Sequence, residues 1–151
     1  MTHDQILIKA LKIMETRLSY SAKSDTISCP VTMRNYVRTV FATLDQSREH
    51  MVFVLLDAQN KIINWRVLFS GTIDSCFAYP REVCRFALLE ERCASVVMAH
   101  NHPSGTDVFS AADVQFTEKT RTALDTVGLR LLDHILIAGT EARSMAAEGK
   151  L

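Results

Sequence analysis

An apolar run that stops at two histidines and a proline constrains this chain more than any other feature. Ser95-Val96-Val97-Met98-Ala99 is short, β-prone and uncharged, the composition of a buried strand, and His100-Asn101-His102-Pro103 follows it directly. Pro103 has no N–H to give a ladder and Ser104-Gly105-Thr106-Asp107 has turn composition, so the strand must end here and the chain reverse. Side chains alternate along an extended backbone, which puts His100 and His102 on the same side. A helix that starts at Ser110 carries Asp113 in its first turn, where the helix dipole favours a carboxylate, and can aim it back at the imidazole pair. Ser110-x-x-Asp113 also reads as a capping-box variant, which is helix punctuation without chemistry. Two imidazoles and a carboxylate suit zinc, and three protein ligands leave a fourth tetrahedral position to water, as in a catalytic rather than a closed structural site. His100, His102 and Asp113 are therefore the expected metal ligands.

The remaining elements are read around this unit. Ile6, Leu7, Ala10, Leu11, Met14 and Leu18 recur at helical spacing, predicting a first amphipathic helix that ends before the polar stretch from Ser19 to Ser24. Residues 1–24 are thus expected to form a helix and linker, and 25–151 the main domain. The first helix either packs on the domain or mediates a homodimer. A second helix follows Pro30 and Thr32 through Val40 and Leu44, and Asp45-Gln46-Ser47-Arg48-Glu49 is a polar turn. Met51–Leu56 and Ile62–Phe69 flank Asp57-Ala58-Gln59-Asn60, the pattern of an antiparallel hairpin. Pro80 suits the first turn of a helix through Glu91 that buries Val83, Phe86 and Ala87. Asp113–Val127 is a helix closed by Gly128, and Leu131–Ala138 is a last strand carrying Asp133 and His134. Those two polar residues are expected to satisfy one another or the backbone, with support of the metal ligands as the alternative. The order predicts an α/β (α+β mixed) domain, a mixed sheet flanked by helices in three layers.

Charge and cysteine content narrow the function. With 17 Lys+Arg against 17 Asp+Glu, no global positive field draws in nucleic acid, and extensive backbone binding to DNA is disfavoured. Cys29, Cys76, Cys84 and Cys93 are scattered without a C-x-x-C spacing, as reduced small hydrophobes of a cytosolic protein are. No run approaches a membrane span and the N-terminus has no signal-peptide pattern, so a cytoplasmic location is expected.

Several of these segments also carry a family resemblance. His100-Asn101-His102-Pro103-Ser104-Gly105 with Ser110 and Asp113, preceded by Leu68-Phe69-Ser70-Gly71-Thr72 and Tyr79-Pro80-Arg81-Glu82-Val83, resembles the RadC-like branch of the JAMM (JAB/MPN) metallohydrolase domains. Gly128-Leu129-Arg130-Leu131-Leu132-Asp133-His134 and Ala147-Glu148-Gly149 match the same family. The likeness covers most of the chain after about Ser24 and is to a short form without the N-terminal helix-hairpin-helix region of longer members. It implies a curved mixed sheet between helices with cytidine-deaminase-like layering. It implies one Zn²⁺ held by His100, His102 and Asp113 with water as the fourth ligand, and Ser110 stabilising the oxyanion of an attacked carbonyl. The implied reaction is metallopeptidase-like hydrolysis of an amide or isopeptide bond in a protein or peptide, and the family name attaches DNA repair.

One position departs from the pattern. The family has Glu-x-Leu-Phe-x-Gly-Thr, whose glutamate is taken as the general base, and the ungapped anchor puts Arg66 there. A guanidinium is no base near neutral pH, and loss of a positioned base typically costs on the order of 100- to 10,000-fold in rate. Arg66 could instead hold a carboxylate or phosphate. Glu82 and Asp107 are the candidate substitute bases, and a zinc-binding interaction module without turnover is the competing reading. Trp65, the only tryptophan, is expected in core or edge packing, where its place beside Arg66 would let it report on a ligand.

Overall fold

The computed structural model describes residues 2–21, 26–27, 29–71 and 78–151. Among them, five strands form one mixed sheet: β1 (His50–Leu56), β2 (Ile62–Ser70), β3 (Ser95–Asn101), β4 (Arg130–Ala138) and β5 (Glu141–Ser144), in spatial order β2-β1-β3-β4-β5. Their helical partners are α1 (His3–Ser21), α2 (Pro30–Phe41), α3 (Pro80–Leu88) and α4 (Ala111–Thr126). β3 and β4 run parallel, joined by the α4 crossover, and the other neighbours are antiparallel.

Strand alternation sorts the core into two faces. Val52, Val54 and Leu56 of β1 and Val97 and Ala99 of β3 pack with Val37, Val40 and Phe41 of α2. Met51, Phe53 and Leu55, with Val96 and Met98, pack on the opposite face with Val83, Phe86 and Ala87 of α3 and with Phe116 and Leu124 of α4. The central strands are covered on both sides, which is why β1 and β3 read as near-continuous apolar runs. This is the three-layer α/β arrangement expected. His100 shares the parity of Val96 and Met98 and so faces the α3–α4 layer.

Local chemistry explains the boundaries. In the β1–β2 loop Asp57 Oδ1 accepts the N–H groups of Gln59 and Lys61, and Asn60 takes a left-handed φ of 59°. α1 begins with a reciprocal cap, Thr2 Oγ1 accepting from Gln5 N–H and Gln5 Oε1 from Thr2 N–H. It continues through Ser21 rather than ending before Ser19, since serines cost a helix only a few tenths of a kcal/mol each. α2 ends at Phe41, leaving Leu44 in the following turn, and α3 ends at Leu88, short of Glu91, where its apolar face gives way to exposed Leu88 and Leu89. Leu131–Ala138 is not the last strand. β5 pairs with β4 across Gly139-Thr140, and Gly139 at φ 58° supplies the left-handed residue that such a short loop needs. Four mixed residues, Glu141-Ala142-Arg143-Ser144, carry no periodic apolar signal, so only pairing with β4 makes them a strand. The expected linker at 22–24, Thr72 and Cys76 lie outside the described residues. No helix among the described residues is long and apolar enough to cross a membrane.

Candidate metal centre

Three elements converge at one point. His100 lies in the last turn of the ladder on β3, His102 follows it, and Asp113 is the third residue of α4. The β3 ladder stops as Pro103 demands, and Gly105 at φ 78° turns the chain toward Ser110. Ser110 caps α4: its Oγ accepts Asp113 N–H at 3.1 Å, and Asp113 Oδ2 accepts Ser110 N–H at 2.7 Å. The capping box forms, and the same Asp113 stands within the candidate ligand group, so the two readings of Ser110-x-x-Asp113 are compatible. The cap is what orients the carboxylate.

The donor atoms form a small triangle. His100 Nε2 lies 3.0 Å from His102 Nε2, and Asp113 Oδ2 lies 3.3 Å from the first and 3.5 Å from the second. Bonds of about 2.0–2.1 Å to a tetrahedral zinc would separate its ligands by about 3.3 Å, so the triangle has the right edge. His100 and Asp113 are fully enclosed and His102 is nearly so. Asp113 Oδ1 is buried without a hydrogen-bond partner. An orphaned buried acceptor costs about 1–3 kcal/mol, and a cation at the triangle would compensate it. The residues present fit a divalent ion.

Proton accounting gives the same answer. Thr117 Oγ1 donates to the Asp113 carbonyl at 2.6 Å, so toward His134 Nδ1, 2.5 Å away, it can only accept. His134 Nδ1 therefore carries the proton, and its Nε2 accepts from His100 Nδ1 at 2.7 Å. His100 Nε2 is left as a bare lone pair. His102 Nδ1 donates to the Thr106 carbonyl at 2.7 Å, which leaves its Nε2 bare as well. Burial, aided by the neighbouring His100, pushes the His134 pKa well below the usual imidazole value, against the opposing pull of Asp113, and keeps this ring neutral. Burial alone would raise Asp113, but the hydrogen bond and charge of His100 and the bonds from Ser110 outweigh it and hold the carboxyl well below its usual range. With both rings neutral, two lone pairs and a carboxylate oxygen face one another, an arrangement suited to a cation in the place of the proton that His100 otherwise shares with Asp113.

The RadC-like JAB domain pattern matches residues 27–150. The chain belongs to the RadC-like JAB-domain family. It is 43% identical over 125 residues to a UPF0758 protein of Cupriavidus pinatubonensis, covering 83% of this chain and 54% of that protein. It is 40% identical over 123 residues to one of Shewanella amazonensis, covering 82% and 53% respectively. Against these relatives the chain spans about half their length. A UPF0758 protein of Vibrio cholerae aligns over 148 residues at 38% identity, 98% of this chain and 90% of its own length, so its alignment extends into the α1 region.

Within this JAB domain the other sequence candidates are dispersed. Arg66 pairs with Phe53 on the sheet face that carries His100, with its guanidinium carbon 4.9 Å from the centre of the Phe86 ring. Glu82 pairs with Arg81 and Arg85 in the first turn of α3. Asp107 is exposed beside Arg143, which donates to its carbonyl. Trp65 packs on the α2 face, away from the ligands. Asp133 accepts the backbone N–H groups of His134 and Ala146 and the Ser144 hydroxyl, while the His134 ring bonds to His100, one of the candidate ligands. Cys84 and Cys93 are free thiols, and Cys29 Sγ lies 3.1 Å from Thr32 Oγ1.

Two residues that the linear motif did not single out come into place through strand register. Met51 pairs with His100, and β1 keeps its alternation, so Glu49, two residues earlier, falls on the same face, beside the His102 end of β3. It is half-buried, and its carbonyl accepts Gly71 N–H from the β2 side. Asn101, between the two ligands, accepts His50 N–H at 2.7 Å and donates to the Arg48 carbonyl at 2.9 Å. In the sequence Glu49 reads as the end of a polar turn. Its parity with Met51 was the available signal, and the β1–β3 register gives that parity its meaning.

Proposed function

We propose that this chain is a zinc-dependent amide hydrolase, acting on a peptide or isopeptide bond, in which Glu49 is the general base. The carrying observation is the triangle of His100 Nε2, His102 Nε2 and Asp113 Oδ2, with the neighbouring Oδ1 unpartnered. Two imidazoles and one carboxylate favour zinc over the oxygen-only sites of calcium or magnesium. When bound, the ion would supply Lewis acidity toward a carbonyl and lower the pKa of a coordinated water. Glu49, which directly precedes β1 and shares the parity of Met51, takes the proton of the attacking nucleophile and returns it to the leaving amine. Ser110 keeps its hydroxyl hydrogen while its oxygen serves the cap, and donates to the developing oxyanion. Arg66, on the same face, meets an anionic group of the substrate. Loss of the glutamate at that position then changes substrate recognition rather than removing the base.

The replacement at Arg66 also supports a second reading, an intact zinc site used for binding without turnover. One experiment separates the two. Zinc content and hydrolysis of an isopeptide-linked and a linear peptide panel are measured for the wild type, His102→Ala and Glu49→Gln. The proposal expects about one zinc in the wild type and in Glu49→Gln, none in His102→Ala, and turnover reduced about 100- to 10,000-fold in Glu49→Gln. Zinc without turnover in the wild type favours the binding module. Absence of zinc from the wild type sinks both.

A further inference from the structure

We propose that Asn101 is a positioning residue that holds Glu49 against the metal ligands; the inference rests on the reading of Glu49 as the base. The backbone ladder between β1 and β3 ends at the Met51–His100 pair. Beyond it β3 can offer β1 no further regular pairing, because His102 N–H turns to the Ile137 carbonyl on the β4 side and Pro103 has no N–H. His50 N–H and the Arg48 carbonyl would be left facing the gap. The Asn101 side chain fills it with a donor and an acceptor in the arrangement of a peptide group: Oδ1 accepts from His50 and Nδ2 donates to Arg48.

These two bonds straddle Glu49. From the other flank Gly71 N–H, at 2.9 Å, grips the Glu49 carbonyl, so the backbone of this residue is held between β2 and a side chain of β3. The Asn101 residue is 3% exposed, which shields both bonds from competing water. His50, on the face opposite Glu49, adds a second anchor through Nδ1 to Ser70 Oγ at 2.8 Å and Nε2 to the Asp45 carbonyl at 2.9 Å. Asn101 stands between the two histidine ligands, so a single strand end fixes both the ligands and the carboxylate that must face them. An apolar or shorter residue between the histidines would leave the ligand triangle intact and release Glu49.

The test reads the position of the Glu49 carboxyl directly. Full-length protein with ¹³C-labelled glutamate carboxyls is loaded with cobalt(II), and paramagnetic broadening is compared in the wild type, Glu49→Gln, Asn101→Leu and Asn101→Ala. One strongly broadened resonance, absent in Glu49→Gln, is expected in the wild type. Asn101→Leu keeps the volume of the amide, and both Asn101 variants are expected to bind cobalt with wild-type stoichiometry. Movement of the carboxyl from about 5 to about 7.5 Å, a direct against a diagonal cross-strand distance, weakens this inverse-sixth-power effect about tenfold. If no glutamate is broadened in the wild type, the reading of Glu49 fails and the inference with it. Broadening that survives in both Asn101 variants overturns the inference and leaves that reading standing. Loss of cobalt binding or of the folded spectrum in both variants also overturns it, because Asn101 would then serve the ligand strand or the fold rather than Glu49.

Discussion

His100, His102 and His134 have the same side chain and three different duties, set by what the second ring nitrogen touches. His134 is the lock: it takes its proton arrangement from Thr117 and passes it to His100. Substitution of His134 by alanine is expected to weaken zinc affinity about 10- to 100-fold, measured by competition with a chromophoric chelator, because His100 loses the acceptor that fixes its tautomer. The same residue sets a pH dependence in the metal-free protein. Its folded pKa lies below the unfolded value of 6.5, so native His134 stays neutral while the unfolded chain gains a proton. Stability is full above about pH 6.5 and falls as pH drops toward the folded value, with a limiting slope of about 1.4 kcal/mol per pH unit. Asp113, depressed below its usual 3.8, adds a further loss as pH falls below that value. Urea unfolding between pH 7 and 5 should show the first slope in chelated wild type and not in His134→Gln; equal slopes would show that His134 is not the titrating group. His-x-His-Pro and Ser-x-x-Asp were legible as a candidate ligand group, and the structure brings His100, His102 and Asp113 together, because their spacing is local. Glu49 and Asn101 were not, because their meaning depends on a strand partner some fifty residues distant in the chain.

At the scale of the element, the N-terminus of α4 does two jobs with one cap. Ser110→Ala removes an acceptor for Asp113 N–H and is expected to cost about 1 kcal/mol, read as a lower Tm of the metal-free protein. Since the same cap aims Asp113, zinc affinity should fall alongside Tm, whereas Ser110→Asp should restore the cap. An alanine variant with unchanged affinity would mean that α4 orients the carboxylate without its capping residue. Helix starts at Pro30 and Pro80 and the turn at Asp57–Asn60 were readable because the chemistry that makes them sits within a few residues. The ends of α1, α2 and α3 each shifted by a few residues, where no side chain forces a stop. β5 was unreadable because a short polar edge strand exists through its neighbour's hydrogen bonds.

Across the molecule, the central sheet is expected to carry the stability, since its strands are buried on both faces while the described side chains of α1 are mostly exposed. Phe53 is fully buried between the sheet and the α3–α4 layer, so Phe53→Ala is expected to cost about 3–5 kcal/mol in chemical denaturation. Leu7 and Leu11 of α1 are 50% and 41% exposed, and their replacement by serine should change domain stability by less than about 0.5 kcal/mol. A large loss in the α1 variants would show that this helix belongs to the cooperative unit. The amino-acid sequence by itself determined four of the five strands, the helices and the three-layer class, and it singled out His100, His102 and Asp113 as a group that could hold a metal, because apolar periodicity, proline and the His-x-His spacing act over short stretches of chain. Strand order, the β1–β3 register, the Asn101 bonds to His50 and Arg48 and the Thr117–His134–His100 hydrogen-bond chain were decided only by the tertiary structure. Each joins residues distant in sequence, and a hydrogen bond between such residues acquires its geometry when the sheet closes.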